Sequence, residues 1–195
     1  VRIENGIIVE LGEMPYKGTD EQVFNANGGL LLPGFVDAHT HLGMWEDGLG
    51  FEGDDGNEDT DPATPHLRAI DAINPLDRCF REALESGVTT VVTGPGSANP
   101  IGGQMCALKT YGRRIEDMII REPVAIKMAL GENPKTVYHA KNQAPVTRMA
   151  TAAIIREQLA LARRYEQDLR NSETSDDDPP ELDVKCEALL PVIKR

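Results

Sequence analysis

The chain has 195 residues, 32 Asp plus Glu against 20 Lys plus Arg, a formal net charge of -12 and 40% apolar residues. That acidity excludes a nucleic-acid backbone as partner, because phosphate binding needs a basic footprint, and no apolar run approaches the length that would make a membrane its partner. The 3 cysteines, Cys79, Cys106 and Cys186, are odd in number and lack metal-finger spacing, which points to buried thiols in a reducing, cytoplasmic setting rather than to a disulfide framework.

In chain order, residues 1–32 read as short strands of a small β unit, with Gly12, Gly18, Gly28 and Gly29 as turn punctuation. Pro33 and Gly34 interrupt the chain before Phe35-Val36-Asp37-Ala38-His39-Thr40-His41, which is expected to be a buried core strand whose end opens into a site. Side chains alternate along a strand, so Asp37, His39 and His41 project together and the histidine Cα atoms lie roughly 6–7 Å apart. Two neutral imidazoles so placed can close on one divalent cation. Residues 48–65 form a long acidic loop, and loops of that length are usually functional or mobile. A helix is predicted from Asn74-Pro75, with asparagine as cap, proline in the first turn, Leu76, Phe80, Ala83 and Leu84 on one stripe, and Gly87 at its end.

Residues 88–93 are predicted as a β-branched strand. The glycine-rich stretch 94–104 follows as a loop that shapes a substrate pocket; it is no phosphate cradle, since neither Gly-Lys-Ser/Thr nor a helix-opening G-x-G-x-x-G is present. Residues 105–110 and 123–130 are expected as third and fourth strands, with 115–121 helical or looped between them. A second long helix is expected from Pro145, with Val146, Ala150, Ile154, Leu161 and Tyr165 on one stripe. It fades into 171–180, an acidic, proline-terminated stretch that reads as a solvated linker. Residues 182–193 resume helical spacing.

Pro-Gly-Phe-Val-Asp-Ala-His-Thr-His at 33–41 resembles the first-strand signature of the amidohydrolase superfamily, metal-dependent hydrolases built on a distorted (β/α)8 barrel. The resemblance extends back through Ile3-Glu4-Asn5-Gly6-Ile7-Ile8 and 25–31, which are similar to the short strands before the barrel in imidazolonepropionase-like and prolidase-like members. It extends forward through Glu85-Ser86-Gly87-Val88-Thr89-Thr90-Val91-Val92. It implies an α/β fold in which 1–32 is part of a small β-sandwich domain and 33–195 is the first half of a TIM-like (β/α)8 barrel. A complete barrel takes about 250 residues. Val1 already stands in a strand-like run and 193–195 follow directly on an apolar helical segment. The chain is therefore expected to be the amino-terminal part of a larger enzyme, with the rest of the barrel as its partner and a homo-oligomer left open.

The resemblance also implies a site. His39 and His41 would hold one or two divalent ions, Zn²⁺ foremost. A further ligand would come from the end of the fourth strand: Lys127, which some members convert with carbon dioxide to a metal-bridging carbamate, or Glu132, because others use a glutamate there. A snorkelling or salt-bridged Lys127 is the alternative. Asp37 would support the imidazoles from behind. The family's water-activating aspartate is expected beyond Arg195, so no catalytic residue is assigned within the chain. Trp45, His66, Arg68, Gln104 and His139 are substrate-binding candidates for an amide, cyclic amide or peptide. The implied reaction is hydrolysis of a carbon–nitrogen bond by metal-activated water. The other reading is a noncatalytic metal-binding or interaction domain derived from the same barrel.

Overall fold

The computed structural model describes every residue except Lys17, Thr19, Asp20, Ser175, Asp176, Asp177 and Arg195, so part of the expected acidic linker lies outside the described residues. The chain divides into two units, Val1–Pro33 and Gly34–Arg195.

In the first unit, β1 (Arg2–Glu4) and β2 (Ile7–Glu10) pair antiparallel around Asn5-Gly6. Both turn residues have positive φ, 51° and 78°, the combination whose twist matches a two-residue hairpin. The Arg2 guanidinium bonds Glu10 and, at 3.1 Å, Glu21. Residues 25–31 form no strand. Asn27 and Gly28 turn the chain at φ 50° and 81°, and the Gly29 amide donates to Ala26 O at 2.8 Å.

The second unit is built on a four-stranded sheet of β3 (Phe35–Thr40), β4 (Val88–Thr93), β5 (Ile101–Lys109) and β6 (Ile119–Met128), in that spatial order. β3 and β4 are parallel, whereas β4–β5 and β5–β6 are antiparallel. The sheet thus departs from the all-parallel run that the first half of a (β/α)8 barrel implies. Connection length is the cause. Residues 42–87 give β3 and β4 room for a crossover carrying α1 (Arg78–Glu85), but 94–100 and 110–118 are too short for one, and a strand returning from a short link must run antiparallel. The second link holds only the single-turn α2 (Ile115–Met118).

β3 is an edge strand, and contrary to expectation it is not buried: Phe35 is 57% and Val36 65% exposed. The core lies instead under β4 and β5, where Val91, Cys106 and Leu108 pack with Met44, Ile73, Phe80 and Met118. The helix carrying Phe80 starts later than predicted. Asn74 spends its side chain on the Leu76 amide at 3.0 Å, which makes a turn, and Asp77 takes the capping position by accepting from Cys79 N at 3.0 Å. Leu76 is left exposed ahead of the helix.

α3 (Glu132–Ala140) is a helix to which the sequence analysis assigns no element; Pro134 fits its first turn, and Tyr138 is its fully buried anchor. α4 (Arg148–Thr174) runs on into the expected linker, supported by the i,i+4 pairs Arg170–Glu166 at 2.6 Å and Gln167–Asn171 at 2.8 Å. Its buried stripe includes Ala162 and Tyr165 but not Leu161 or Val146, which are exposed, and it packs on Cys186, Leu189 and Leu190 of α5 (Val184–Ile193). All three cysteines are free, and burial pushes the thiols of Cys79 and Cys106 up to about 12 and that of Cys186 to about 11. Among the described residues no helix is long and apolar enough to cross a membrane.

α5 is capped by Asp183, whose Oδ1 accepts from the amides of Lys185 at 2.9 Å and Cys186 at 3.0 Å. The Cys186 amide bond is the main reason that its carboxyl is held below the ordinary aspartate value, against the opposing effect of partial burial. The depressed pKa means that the cap contributes above the ordinary value of 3.8 and is lost as pH falls through the folded-state value. Asp183→Ala should therefore cost about 1 kcal/mol at neutral pH. In urea unfolding its midpoint should fall below that of the parent at pH 7 and converge with it in acid.

Candidate metal site

His39 is the penultimate residue of β3 and His41 follows the strand's end, where the chain leaves the sheet. Their rings meet edge to face with centroids 5.4 Å apart and planes at 77°. His41 Nδ1 lies 2.7 Å from Gly94 O, the first residue after β4. A carbonyl only accepts, so Nδ1 carries the proton and Nε2 keeps the lone pair that a cation would need. His41 also meets Trp45 edge-on, with centroids 5.2 Å apart.

Lys127 reaches the same place from the other edge of the sheet. Its Nζ is 2.9 Å from His39 Nε2. β3 and β6 are separated by β4 and β5, about 14 Å in a flat sheet at the usual strand spacing. The contact therefore requires a curled sheet with both side chains reaching over one face. Gly102 lies beside the lysine stem, where an added Cβ would make ordinary contact with Lys127 Cγ at 3.5 Å. Burial lowers the Lys127 pKa below its ordinary value, because a half-buried ammonium loses hydration.

The other candidates lie apart from this trio or are engaged elsewhere. Asp37 Oδ1 accepts from the His39 backbone amide at 3.1 Å and supports the chain rather than an imidazole. Glu132 is exposed at the start of α3 and borders a depression of about 270 Å³ with Ser97, Gly131 and Asn133. Arg68 is held by Asp71 through bonds of 2.9 and 2.6 Å, with Glu122 at 3.6 Å. Gln104 Nε2 donates to Pro65 O at 3.2 Å. His66 keeps its buried Nδ1 without a partner, and His139 is exposed on α3. Apart from Asp37's bond to the His39 amide, none of these candidates has a hydrogen bond, ion pair or ring contact with His39 or His41 among the described residues, and no three His, Cys, Asp or Glu side chains gather there as a metal shell.

Sequence reasoning missed Gly94 as an individual contributor, having read 94–104 as pocket lining; its carbonyl is the group that fixes His41. Two imidazoles and an amine meeting on one face fit part of a divalent cation's shell.

The chain is 35% identical over 164 residues to the amidohydrolase tasK of Hapsidospora irregularis, a match covering 76% of this chain and 17% of that protein. It is 26% identical over 149 residues to an adenine deaminase of Listeria welshimeri, covering 75% and 21% respectively. The crystal structure of an amidohydrolase from Thermotoga maritima superposes with a TM-score of 0.77 at 40% identity, over 88% of this chain and 46% of that one. The chain thus spans about half the length of the solved structure and about a fifth of the curated relatives. No family model matches it.

Proposed function

This chain is an amidohydrolase-superfamily sequence matching part of the amino-terminal region of its relatives, and on that premise we propose that the whole protein is a metal-dependent hydrolase of carbon–nitrogen bonds. The observation that carries the reading is the meeting of His39, His41 and Lys127 on one face, with His41 locked in the tautomer that frees Nε2. A bound divalent metal, Zn²⁺ first, supplies Lewis acidity and an activated water. His39 and His41 hold it through Nε2. With His39 as a ligand, its Nε2 lone pair would no longer be free to accept from Lys127, so the two groups would face the metal side by side. Lys127, whose Nζ already stands 2.9 Å from His39 Nε2, would be the third protein ligand ahead of Glu132, as the amine or as its carbon dioxide adduct.

Trp45 flanks His41 and is the best placed of the substrate candidates. Small amides, cyclic amides and peptides are the substrate class. The noncatalytic alternative is not favoured, since the relatives are hydrolytic enzymes.

The test is a panel of acylated amino acids, dipeptides and cyclic amides, offered to the Zn²⁺-loaded full-length protein. Turnover should vanish with a chelator and return with metal. Lys127→Ala should weaken metal binding by about ten- to a hundredfold and Glu132→Ala should leave it unchanged, taking the loss for groups that support a site as the lower guide. No turnover on any member sinks the hydrolase reading. A larger loss in Glu132→Ala reverses the choice of third ligand.

A further inference from the structure

His41 is held from two sides, and both supports lead to one corner of the acidic loop. Gly94 O fixes its Nδ1, and the Trp45 indole lies against its ring with planes at 81°. Gly56 is buried flat against that indole: a Cβ added to it would stand 1.7 Å from Trp45 Cζ2, so no side chain fits there unless the tryptophan moves. The Gly56 carbonyl accepts from the Gly96 amide at 2.8 Å, and Asn57 Oδ1 accepts from the Ala98 amide at 3.1 Å. These two bonds tie down the loop that presents Gly94 O. Gly96 must itself lack a side chain, because its Cβ would lie 2.5 Å from Asn57 Oδ1. A bridge between Trp45 and Asp54, and the Asp55 amide donating to Met44 O at 3.0 Å, keep the corner beside the tryptophan.

We propose that Gly56-Asn57 is a positioning corner for His41, which acts through the Trp45 indole on one face and the Gly94 carbonyl on the other. It sets where the Nε2 lone pair points. An imidazole lone pair lies in the ring plane, so tilting the ring misdirects it, and loss of such supports typically weakens metal binding 10–100-fold. Trp45 is thereby a positioning residue. The proposal rests on reading His41 as a metal ligand.

The experiment uses the full-length protein labelled with 5-fluorotryptophan, in which the ¹⁹F resonance missing from Trp45→Phe belongs to Trp45. Gly56→Ala should shift that resonance in metal-free protein and weaken Zn²⁺ binding about tenfold or more. In a Trp45→Ala background the same Gly56→Ala change should have no further effect on Zn²⁺ affinity, since the residue it displaces is gone. Asn57→Ala should weaken Zn²⁺ binding, whereas Asn57→Asp, which keeps an acceptor for the Ala98 amide, should restore it. Leu189→Ala, fully buried in the α4–α5 core, serves as the stability control. It should lower the melting temperature and leave both the resonance and the affinity in place. Gly56→Ala that binds Zn²⁺ like the parent, or that weakens binding equally with and without Trp45, overturns the positioning role alone. A parent protein that binds no Zn²⁺ overturns the metal reading, and the proposal with it.

Discussion

Replacing His39 and His41 together by alanine should strip the full-length protein of its metal and reduce hydrolysis by more than about a hundredfold, since loss of outer supports alone already costs 10–100-fold. The two rings sit 5.4 Å apart at the mouth of one sheet, and His41 keeps Nε2 free by donating from Nδ1. Each single variant should lose most of the affinity, because one imidazole and one amine are a poor shell for Zn²⁺. Melting temperature should change little in metal-free protein: His39 is exposed and His41 half-buried, and neither belongs to the core. Metal content by elemental analysis, measured with apo-protein stability, separates the two effects. Equal metal content in parent and double variant would end the assignment of this site.

Phe80→Ala should cost about 3–5 kcal/mol, the range for emptying a buried aromatic site. In a chain of this size that corresponds to a melting temperature lower by about 10 °C. Phe80 is 3% exposed and packs in the cluster with Met44, Ile73, Val91 and Met118. Its ring also lies against Gly43, where an added Cβ would be 2.9 Å from Phe80 Cε2. Gly43 has φ 82° and sits between His41 and Trp45. The cavity should therefore loosen the turn that carries both. Zn²⁺ affinity should fall along with stability, which a thermal melt and a metal titration on the same preparation will show. A variant as stable as the parent would mean that α1 contributes little to this core.

Local chemistry was legible where a residue's role depends on its neighbours in sequence. The His39-Thr40-His41 pair, the β4 limits at Val88 and Thr93, and a helix within 182–193 follow from alternation, β-branching and helical spacing, whereas the Asp183 cap that starts α5 at Val184 was not read. The start of α1 was misplaced because Asn74 and Asp77 are both competent caps, and in the fold Asn74 caps a turn at Leu76 while Asp77 caps the helix. α4 outran its predicted end because charge pairs one turn apart support a helix whose composition resembles a linker.

The sequence by itself determined that two imidazoles share a face, that the chain is strongly acidic, and that 33–41 resembles an amidohydrolase first strand. Only the tertiary structure decided which distant groups join those imidazoles. Strand direction depends on link length, so the short 94–100 connection turned the third strand antiparallel. The curl of the sheet then brought Lys127 across to His39, 88 positions away. No sequence periodicity encodes that meeting, because it is set by how four strands bend together rather than by the spacing of residues along any one of them.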